Sequence, residues 1–235
     1  MICYAFAVPH ESEGLLEQMQ GPESFDLEHV RCTVGLYKDR LVLCAVLGMG
    51  MQRAAKGAEL VLEYFQIKAF ILAGYAGALV PQLAHGDVVV SDNFSSDNVI
   101  SFVRLLPDFK FAKFCSSDEL VATPQRRQEF HEATECQVVD METGGVAETV
   151  HGRGVTFAAV RVISDTMDDV LPVGAMNAAY DAERNRPRPV NLGWYLMTHP
   201  GESGSFKAFV ARLAPARESL TKFLSALTDE MPKGI

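Results

Sequence analysis

Apolar segments and helix-like segments alternate along the whole chain. The runs at 2–8 and 69–79 are short, continuous and apolar, which is typical of strands buried on both faces of a sheet. The segment 51–65 is rich in alanine, leucine and glutamate, which favour a helix. This alternation predicts an α/β fold, a three-layer sandwich with a central mixed and twisted sheet, in a single domain spanning residues 1–235.

The remaining pattern adds further elements to this sheet. Lys38 and Asp39 form a predicted turn between two strands, and Thr123 is placed to cap a helix that begins at Pro124. Further strands are predicted at 86–94, 136–142 and 155–165, and further helices at 11–19, 143–154 and 205–227, where Pro215 is a candidate kink. Two stretches lack a clear periodicity: 98–118, which is aromatic, and 166–203, which is polar and contains prolines.

The charge of the chain argues against nucleic acid as a partner. The formal net charge is −9 at pH 7, whereas proteins that bind duplex nucleic acid usually carry a basic stripe. The nearest basic run extends from Arg184 to Arg188, follows Glu183 and is interrupted by Pro187. Two interpretations of this run stay open: a solvated loop, or a substrate lid that contacts an anion.

Cysteine use and hydropathy indicate the compartment. Five cysteines occur, an odd number without a CxxC pair, and buried free thiols in a reducing cytosol are the simplest account. No Cys/His cluster has the spacing of a metal site, so neither a metal nor another cofactor is predicted. The apolar start lacks the basic residues of a secretion signal, and no apolar stretch approaches bilayer length. We therefore expect a cytoplasmic protein without stable membrane insertion.

Acidic residues stand where two apolar strands are predicted to end. In the segment 138–150, Asp140 and Glu142 sit between a strand and a helix. They could be helix N-terminal acids that favour the helix dipole, or Glu142 could reach into a cleft and accept the hydroxyls of a ribose. In the segment 160–169, Asp165 ends another strand, either as a cap of the next turn or as a reactive group.

Taken together, these segments resemble the paired signatures of the superfamily of purine nucleoside phosphorylases and methylthioadenosine/S-adenosylhomocysteine nucleosidases. The glycine-containing segments 48–55 and 71–92 resemble two further family segments, and the matches keep the family's order over roughly residues 1–165. The resemblance implies a nucleoside phosphorylase-like fold, a small-molecule purine nucleoside as substrate and assembly as a homo-oligomer.

The resemblance also implies roles for individual residues. Asp165 would protonate the leaving purine, and Ser164 would orient it. Glu142 would bind the ribose hydroxyls, and Met141 would pack on the sugar face. Glu11 would deprotonate the attacking water, with Glu13 as the alternative in a shifted register.

Further positions follow the family pattern less closely. Arg161 resembles an arginine near the nucleophile, with a structural salt bridge as the alternative. Gly74 and Tyr75 belong to the second glycine turn, where Tyr75 replaces a serine. Leu120 and Val121 occupy the base-stacking segment, where Leu120 replaces a common aromatic residue, so the preference for adenine is open.

The nucleophile is expected to be water rather than phosphate. The segment 71–77 lacks the arginine that precedes this glycine turn in phosphorylases, although Arg53, otherwise a solvated helix residue, lies near the first glycine turn. The resemblance thus implies a purine nucleosidase that hydrolyses an adenosine-type nucleoside by acid-assisted departure of the base. The alternatives are a phosphate-dependent phosphorylase and a catalytically silent nucleoside-binding relative.

The stretch after Asp165 departs from the methylthioadenosine enzymes. It is more similar to nucleosidases associated with hopanoid synthesis, and futalosine hydrolases are another related group. Trp194, Tyr195 and Leu196 could flank an apolar substituent of the substrate or pack in the core.

Overall fold

A computed structural model describes residues 1–232 and arranges them around a ten-stranded sheet. The strands of this sheet are β1 (Ile2–Phe6), β2 (Gln20–Leu27), β3 (Val30–Tyr37), β4 (Arg40–Val46), β5 (Ala69–Ala78), β6 (Val88–Ser91), β7 (Lys110–Ala112), β8 (Phe114–Ser116), β9 (Val138–Asp140) and β10 (Thr156–Asp165). Two short strands, β11 (Tyr180–Asp181) and β12 (Arg186–Pro187), form a separate hairpin.

Helices follow most of these strands. They are α1 (Pro9–Leu16), α2 (Met51–Tyr64), α3 (Asp97–Val103), α4 (Pro124–Thr134), α5 (Thr143–Gly152), α6 (Val173–Ala179), α7 (Pro189–Thr198) and α8 (Ser203–Glu230), with a 3-10 turn at Pro200–Glu202. Within residues 1–232, none of these helices combines the length and the apolar character needed to cross a membrane.

The sheet is mixed, as the sequence predicts. Its main path runs β2-β3-β4-β1-β5-β10-β6-β7, and β9 joins β5 while β8 joins β9. The central strands β4, β1, β5 and β10 are parallel neighbours, whereas β2, β3 and β4 form an antiparallel meander and β6 runs antiparallel to β10. The carboxyl ends of the parallel strands therefore meet at one edge, where sites in such sheets collect.

Helices cover both faces of the sheet. Along β1, Cys3 and Ala5 belong to the core under α2 and α5, whereas Tyr4 and Phe6 belong to the core under α1, α3 and α8. Successive side chains of a strand point to opposite faces, so a strand buried on both faces must be apolar throughout. The predicted three-layer sandwich is confirmed, and β1 shows why its sequence lacks alternation.

Several local predictions are confirmed. Strands occupy the predicted segments around the Lys38-Asp39 turn, and Thr123 caps α4 by accepting a hydrogen bond from the Arg126 amide at 3.3 Å. All five cysteines are free thiols, and four of them are buried. The helix α8 continues through Pro215, so this proline does not end the helix.

Regular structure also occurs where the sequence predicts no element. The stretch 98–118 contains most of α3 and both β7 and β8, and the stretch 166–203 contains α6, the β11-β12 hairpin and α7. The strand β2 was not predicted either, and each of its residues is at least partly exposed. These elements give little periodic signal because they are short or lie at the surface.

The exposed side chains of α7 correct one further interpretation. Trp194 is 70% exposed, so packing in the core of this chain does not explain it. The neighbouring basic run is a surface segment that includes β12, and its Arg184 and Arg188 pair with Asp181.

Close packing of α1 on α8 gives the first prediction. A Cβ atom built at Gly14 would overlap with Thr221 Oγ1 on α8. The substitution Gly14→Val should therefore lower the free energy of unfolding by roughly 1–3 kcal/mol, the usual cost of overpacking. Urea unfolding measures this loss, and Gly152→Ala is the control, because a Cβ there meets no atom of the described chain within 4 Å. Unchanged stability of Gly14→Val would contradict the packing.

Candidate active site

Arg161 on β10 is the centre of a buried group of carboxyl side chains. Its Nε donates to Asp140 Oδ2 at 2.8 Å, and its Nη2 donates to Glu142 Oε2 at 3.3 Å. The Arg161 side chain is completely buried, and its Nη1 has no hydrogen-bond partner among residues 1–232. A buried charge is costly unless it is paired, so Asp140 and Glu142 are what makes this arginine tolerable in the interior.

Glu11 enters the same group from the start of α1. Its Oε2 accepts hydrogen bonds from the Ala7 and Val8 amides at 2.9 and 3.0 Å, and its Oε1 accepts one from the Tyr75 amide at 2.8 Å. Burial raises the pKa of Glu11, and the charge of Arg161 partly opposes this rise. A carboxylate held by three amides in this way has a fixed orientation.

Glu13 lies outside this group. Its side chain is half-exposed and forms an ion pair with Arg217 on α8. The two carboxyl groups that the sequence left open as the base therefore occupy different environments, and Glu11 is the one beside Arg161.

Gly74 is the point on β5 where the group closes. A Cβ atom built there would overlap with Glu11 Oε1 and would lie 2.5 Å from Arg161 Nη1. Any side chain at this position would push the carboxylate and the guanidinium apart. Glycine is therefore required by close approach, and Gly74 contributes space rather than a functional group.

The junction between β9 and α5 separates the roles of its two acids. Asp140 Oδ1 accepts hydrogen bonds from the Thr143 and Glu142 amides at 3.1 and 3.3 Å, so the helix-terminal interpretation holds for Asp140. Glu142 instead accepts a hydrogen bond from the Gly50 amide at 3.1 Å and faces Arg161. Met141 is half-buried between them. Burial raises the pKa of Glu142 to about 7, although Arg161 acts in the opposite direction.

Asp165 lies further along β10, behind an irregularity of the strand. Ile163 pairs with Ala76 and Asp165 pairs with Gly77, so Ser164 is an extra residue that forms a β-bulge. The Ser164 hydroxyl donates to Asp165 Oδ1 at 2.6 Å, which matches the orienting position that the sequence assigns to it.

Arg127 contacts Asp165, although it is not among the site residues predicted from the sequence. Its Nη2 donates to Asp165 Oδ2 at 2.5 Å, and the arginine side chain is completely buried. It stands in the sequence QRRQ on an otherwise polar helix, where nothing distinguishes it from the exposed Arg126. Only the packing of α4 against the end of β5 shows which arginine points inward.

Leu120 and Val121 lie apart from the carboxyl group, in the loop between β8 and α4. Both are half-buried and line a cavity of about 250 Å³ with Ser117, Asp118, Glu119, Arg126 and Phe130. The Leu171 amide donates to the Ala122 carbonyl oxygen at 2.9 Å, which ties this loop to the segment after Asp165.

Two tyrosines and Arg53 lie near Glu11. The Tyr75 hydroxyl hydrogen-bonds to His10 Nδ1 at 3.1 Å and donates to the Leu213 carbonyl oxygen at 3.2 Å. Tyr180 comes from β11, a segment that the sequence left unassigned; burial raises its pKa, and the charge of Glu11 adds to the rise. Arg53 is half-buried against Gly48, and its Nε is enclosed while the rest of the side chain keeps some exposure.

Comparison with known families identifies the superfamily of the chain. The family model of the Phosphorylase superfamily matches residues 2–113 and 101–188. The chain belongs to this superfamily. It is 26% identical to the 5′-methylthioadenosine/S-adenosylhomocysteine nucleosidase of Staphylococcus aureus (strain JH9), over 70% of this chain and 86% of that protein.

Solved structures of superfamily proteins share the fold. A futalosine hydrolase mutant of Helicobacter pylori superposes with a TM-score of 0.76 at 18% identity, covering 98% of this chain and 99% of the other. The S-adenosylhomocysteine nucleosidase of Streptococcus pyogenes, in complex with 5-methylthiotubericidin, gives 0.76 at 18% identity, covering 98% and 97%. The predicted nucleoside phosphorylase-like fold is confirmed, and the similar proteins of this superfamily include nucleosidases.

The charge balance around Arg161 gives the second prediction. Replacing Arg161 by Met leaves Asp140 and Glu142 buried without their cation, which should lower the free energy of unfolding by about 3–5 kcal/mol. The loss should be larger at pH 8 than at pH 5.5, because Glu142, whose pKa is raised by burial, can take up a proton at the lower pH.

Urea unfolding at the two pH values checks this prediction. Arg153→Met is the matched control, because Arg153 is about half-exposed and pairs only loosely with Glu59 and Glu63. Its loss should stay within about 0.5 kcal/mol, as for other surface ion pairs. An Arg161→Met variant as stable as this control would show that Arg161 is not needed to hold the carboxyl groups.

Proposed function

We propose that the protein is a purine nucleosidase that hydrolyses the N-glycosidic bond of an adenosine-type nucleoside. The observation that carries this proposal is the shared placement of two groups on one strand. Arg161, with Glu11 and Glu142, lies opposite Gly74, and Asp165 lies opposite Gly77. Three residues of a strand span about 10 Å, which is on the order of the length of a nucleoside.

The Arg161 end suits the sugar. Glu142 would accept hydrogen bonds from the ribose hydroxyls, and the free Nη1 of Arg161 would donate to the sugar or to the attacking water. Glu11 would take a proton from that water. Its burial raises its pKa, which brings the carboxylate closer to the working pH and makes it a better base.

The Asp165 end suits the base. As the bond between C1′ and N9 breaks, the sugar develops oxocarbenium character and the purine gains electron density. Asp165 would give a proton to a ring nitrogen of the purine while the water oxygen bonds to C1′ and its proton passes to Glu11. The products are the free base and free ribose, and solvent restores both carboxyl groups to their starting protonation states.

Two features support water rather than phosphate as the nucleophile. Three carboxyl groups, those of Glu11, Asp140 and Glu142, surround the single guanidinium of Arg161, an environment that disfavours a dianion. The Gly50 amide at the start of α2, a typical phosphate ligand, already donates to Glu142.

The adenosine-type substrate is supported by the relatives rather than by a single contact. The Staphylococcus aureus relative is named for 5′-methylthioadenosine and S-adenosylhomocysteine, and the Streptococcus pyogenes protein binds a nucleoside analogue. Leu120 and Val121 would contribute apolar contact with the base from the cavity that they line.

The third prediction tests the nucleophile. In phosphate-free buffer the wild-type protein should release free purine and free ribose from at least one of adenosine, inosine and guanosine. Glu11→Gln should lower turnover roughly 100-fold or more, because it removes the base. Glu13→Gln is the matched control and should retain turnover, because Glu13 lies outside the carboxyl group. Product analysis by chromatography separates the outcomes.

A phosphorylase is the second candidate function. Arg53 beside the first glycine turn has a buried Nε without a hydrogen-bond partner among residues 1–232, and such a donor favours an anion. Strict dependence on phosphate with ribose 1-phosphate as the product would replace hydrolysis by this candidate. Binding of nucleosides without release of the base would indicate a silent relative instead.

The fourth prediction tests the ribose clamp. Glu142→Gln should weaken catalysis of a ribonucleoside more than that of its 2′-deoxy analogue, because the amide replaces one of the two accepting oxygens of the carboxylate by an NH2 group that can only donate. The measurement is kcat/KM for both substrates in wild type and variant. Equal losses for the two substrates would contradict the clamp.

A further inference from the structure

Arg127 is a fully buried charge on α4, whose other residues are exposed or only partly buried. It is the buried residue of α4, and its neighbour Arg126 is 69% exposed and pairs with Glu129. Moving a guanidinium out of water costs several kcal/mol unless specific partners compensate. A leucine would anchor α4 to the sheet without this cost, so packing alone does not explain an arginine at this position.

The contacts of Arg127 converge on Asp165. Its Nη2 donates to Asp165 Oδ2 at 2.5 Å, and its Nη1 donates to the Ala78 carbonyl oxygen at 3.2 Å. The Ser164 hydroxyl donates to the other oxygen, Asp165 Oδ1, at 2.6 Å. The carboxyl group is therefore held at both oxygens, from α4 on one side and from β10 on the other.

Gly77 makes room for this contact. A Cβ atom built at Gly77 would lie 2.7 Å from Asp165 Oδ2 and 2.9 Å from Arg127 Nη1. The backbone of β5 thus permits the arginine and the carboxyl group to meet over a residue without a side chain. The bulge at Ser164 brings Asp165 opposite this glycine. The glycine, the bulge and the buried arginine therefore all contribute to the contact between Arg127 and Asp165.

We propose that Arg127 is a positioning residue for the general acid. The proposal rests on the function proposed above, in which Asp165 protonates the leaving purine. The torsion that rotates an aspartate carboxyl group has broad minima, so an unsupported Asp165 would sample many orientations. Each carboxyl oxygen has two hydrogen-bonding positions, so one position on each remains after Arg127 and Ser164 have bound, and the proton that passes to the purine can occupy one of them.

A substrate whose leaving group needs no proton distinguishes two roles of Arg127, the positioning of Asp165 and the stabilisation of the fold. Nitrophenolate departs from 4-nitrophenyl β-D-ribofuranoside as an anion, whereas a purine requires the acid. Arg127→Met should lower kcat for the best of adenosine, inosine and guanosine by about 10- to 100-fold, as expected when a catalytic group is misplaced. Its kcat for the nitrophenyl riboside should change less than about threefold, because Glu142 and Arg161 still hold the sugar.

Two further variants calibrate this comparison. Asp165→Asn should show the same selectivity with a larger loss for the purine nucleoside, roughly two to four orders of magnitude. Arg126→Met, the exposed neighbour, should leave both substrates unchanged. Arg127→Lys keeps the charge but not the planar fork, so it should recover part of the loss. If Arg127→Met does not fold, as judged by circular dichroism, Arg127→Lys alone decides by its ratio of losses for the two substrates.

Different outcomes would contradict the role of Arg127 and the proposed nucleosidase function. Equal losses for both substrates in the Arg127 variants would show a structural brace and overturn the positioning role. Unchanged kcat for the purine nucleoside would overturn it as well. A wild-type protein that cleaves neither substrate would overturn the proposed function, and the role of Arg127 in it would fall with that function.

Discussion

The guanidinium of Arg161 holds three acidic side chains from two distant parts of the chain in one buried place. Glu11 comes from α1, Asp140 from β9, and Glu142 from the start of α5. Without a cation among them, their mutual repulsion and the cost of leaving water would drive them apart or neutralise them. The same charge thus joins separate elements at the edge of the sheet and keeps their carboxyl groups buried.

Asp140 and Glu142 are two residues apart but have different surroundings. Asp140 accepts hydrogen bonds from an α5 amide and from Arg161, so it holds the start of α5 and the arginine in place. Glu142, two residues later, has a pKa raised to about 7 by burial and is the more adjustable of the two. A site that needs both rigidity and reactivity obtains them here from adjacent positions in different environments.

The sequence predicts the parts of the site that lie on strongly patterned elements. Apolar strands ending in Asp140 or Asp165 mark the carboxyl edge of the sheet before any coordinates are known. Arg127 could not be predicted, because burial of one arginine of a polar helix depends on how α4 packs. The bulge at Ser164 was equally hidden, since an extra residue in a strand leaves no mark on the hydrophobic pattern.

The placement of Arg161 and Asp165 on a single strand has a mechanical consequence. In sites built between two moving lobes, the distance between the reacting groups changes with each opening and closing. Here four consecutive peptide units and one bulge connect the two residues, so covalent geometry sets their backbone separation. Small movements of the helices around the sheet do not alter the backbone separation of Arg161 and Asp165. An insertion or deletion within β10 would change this separation directly.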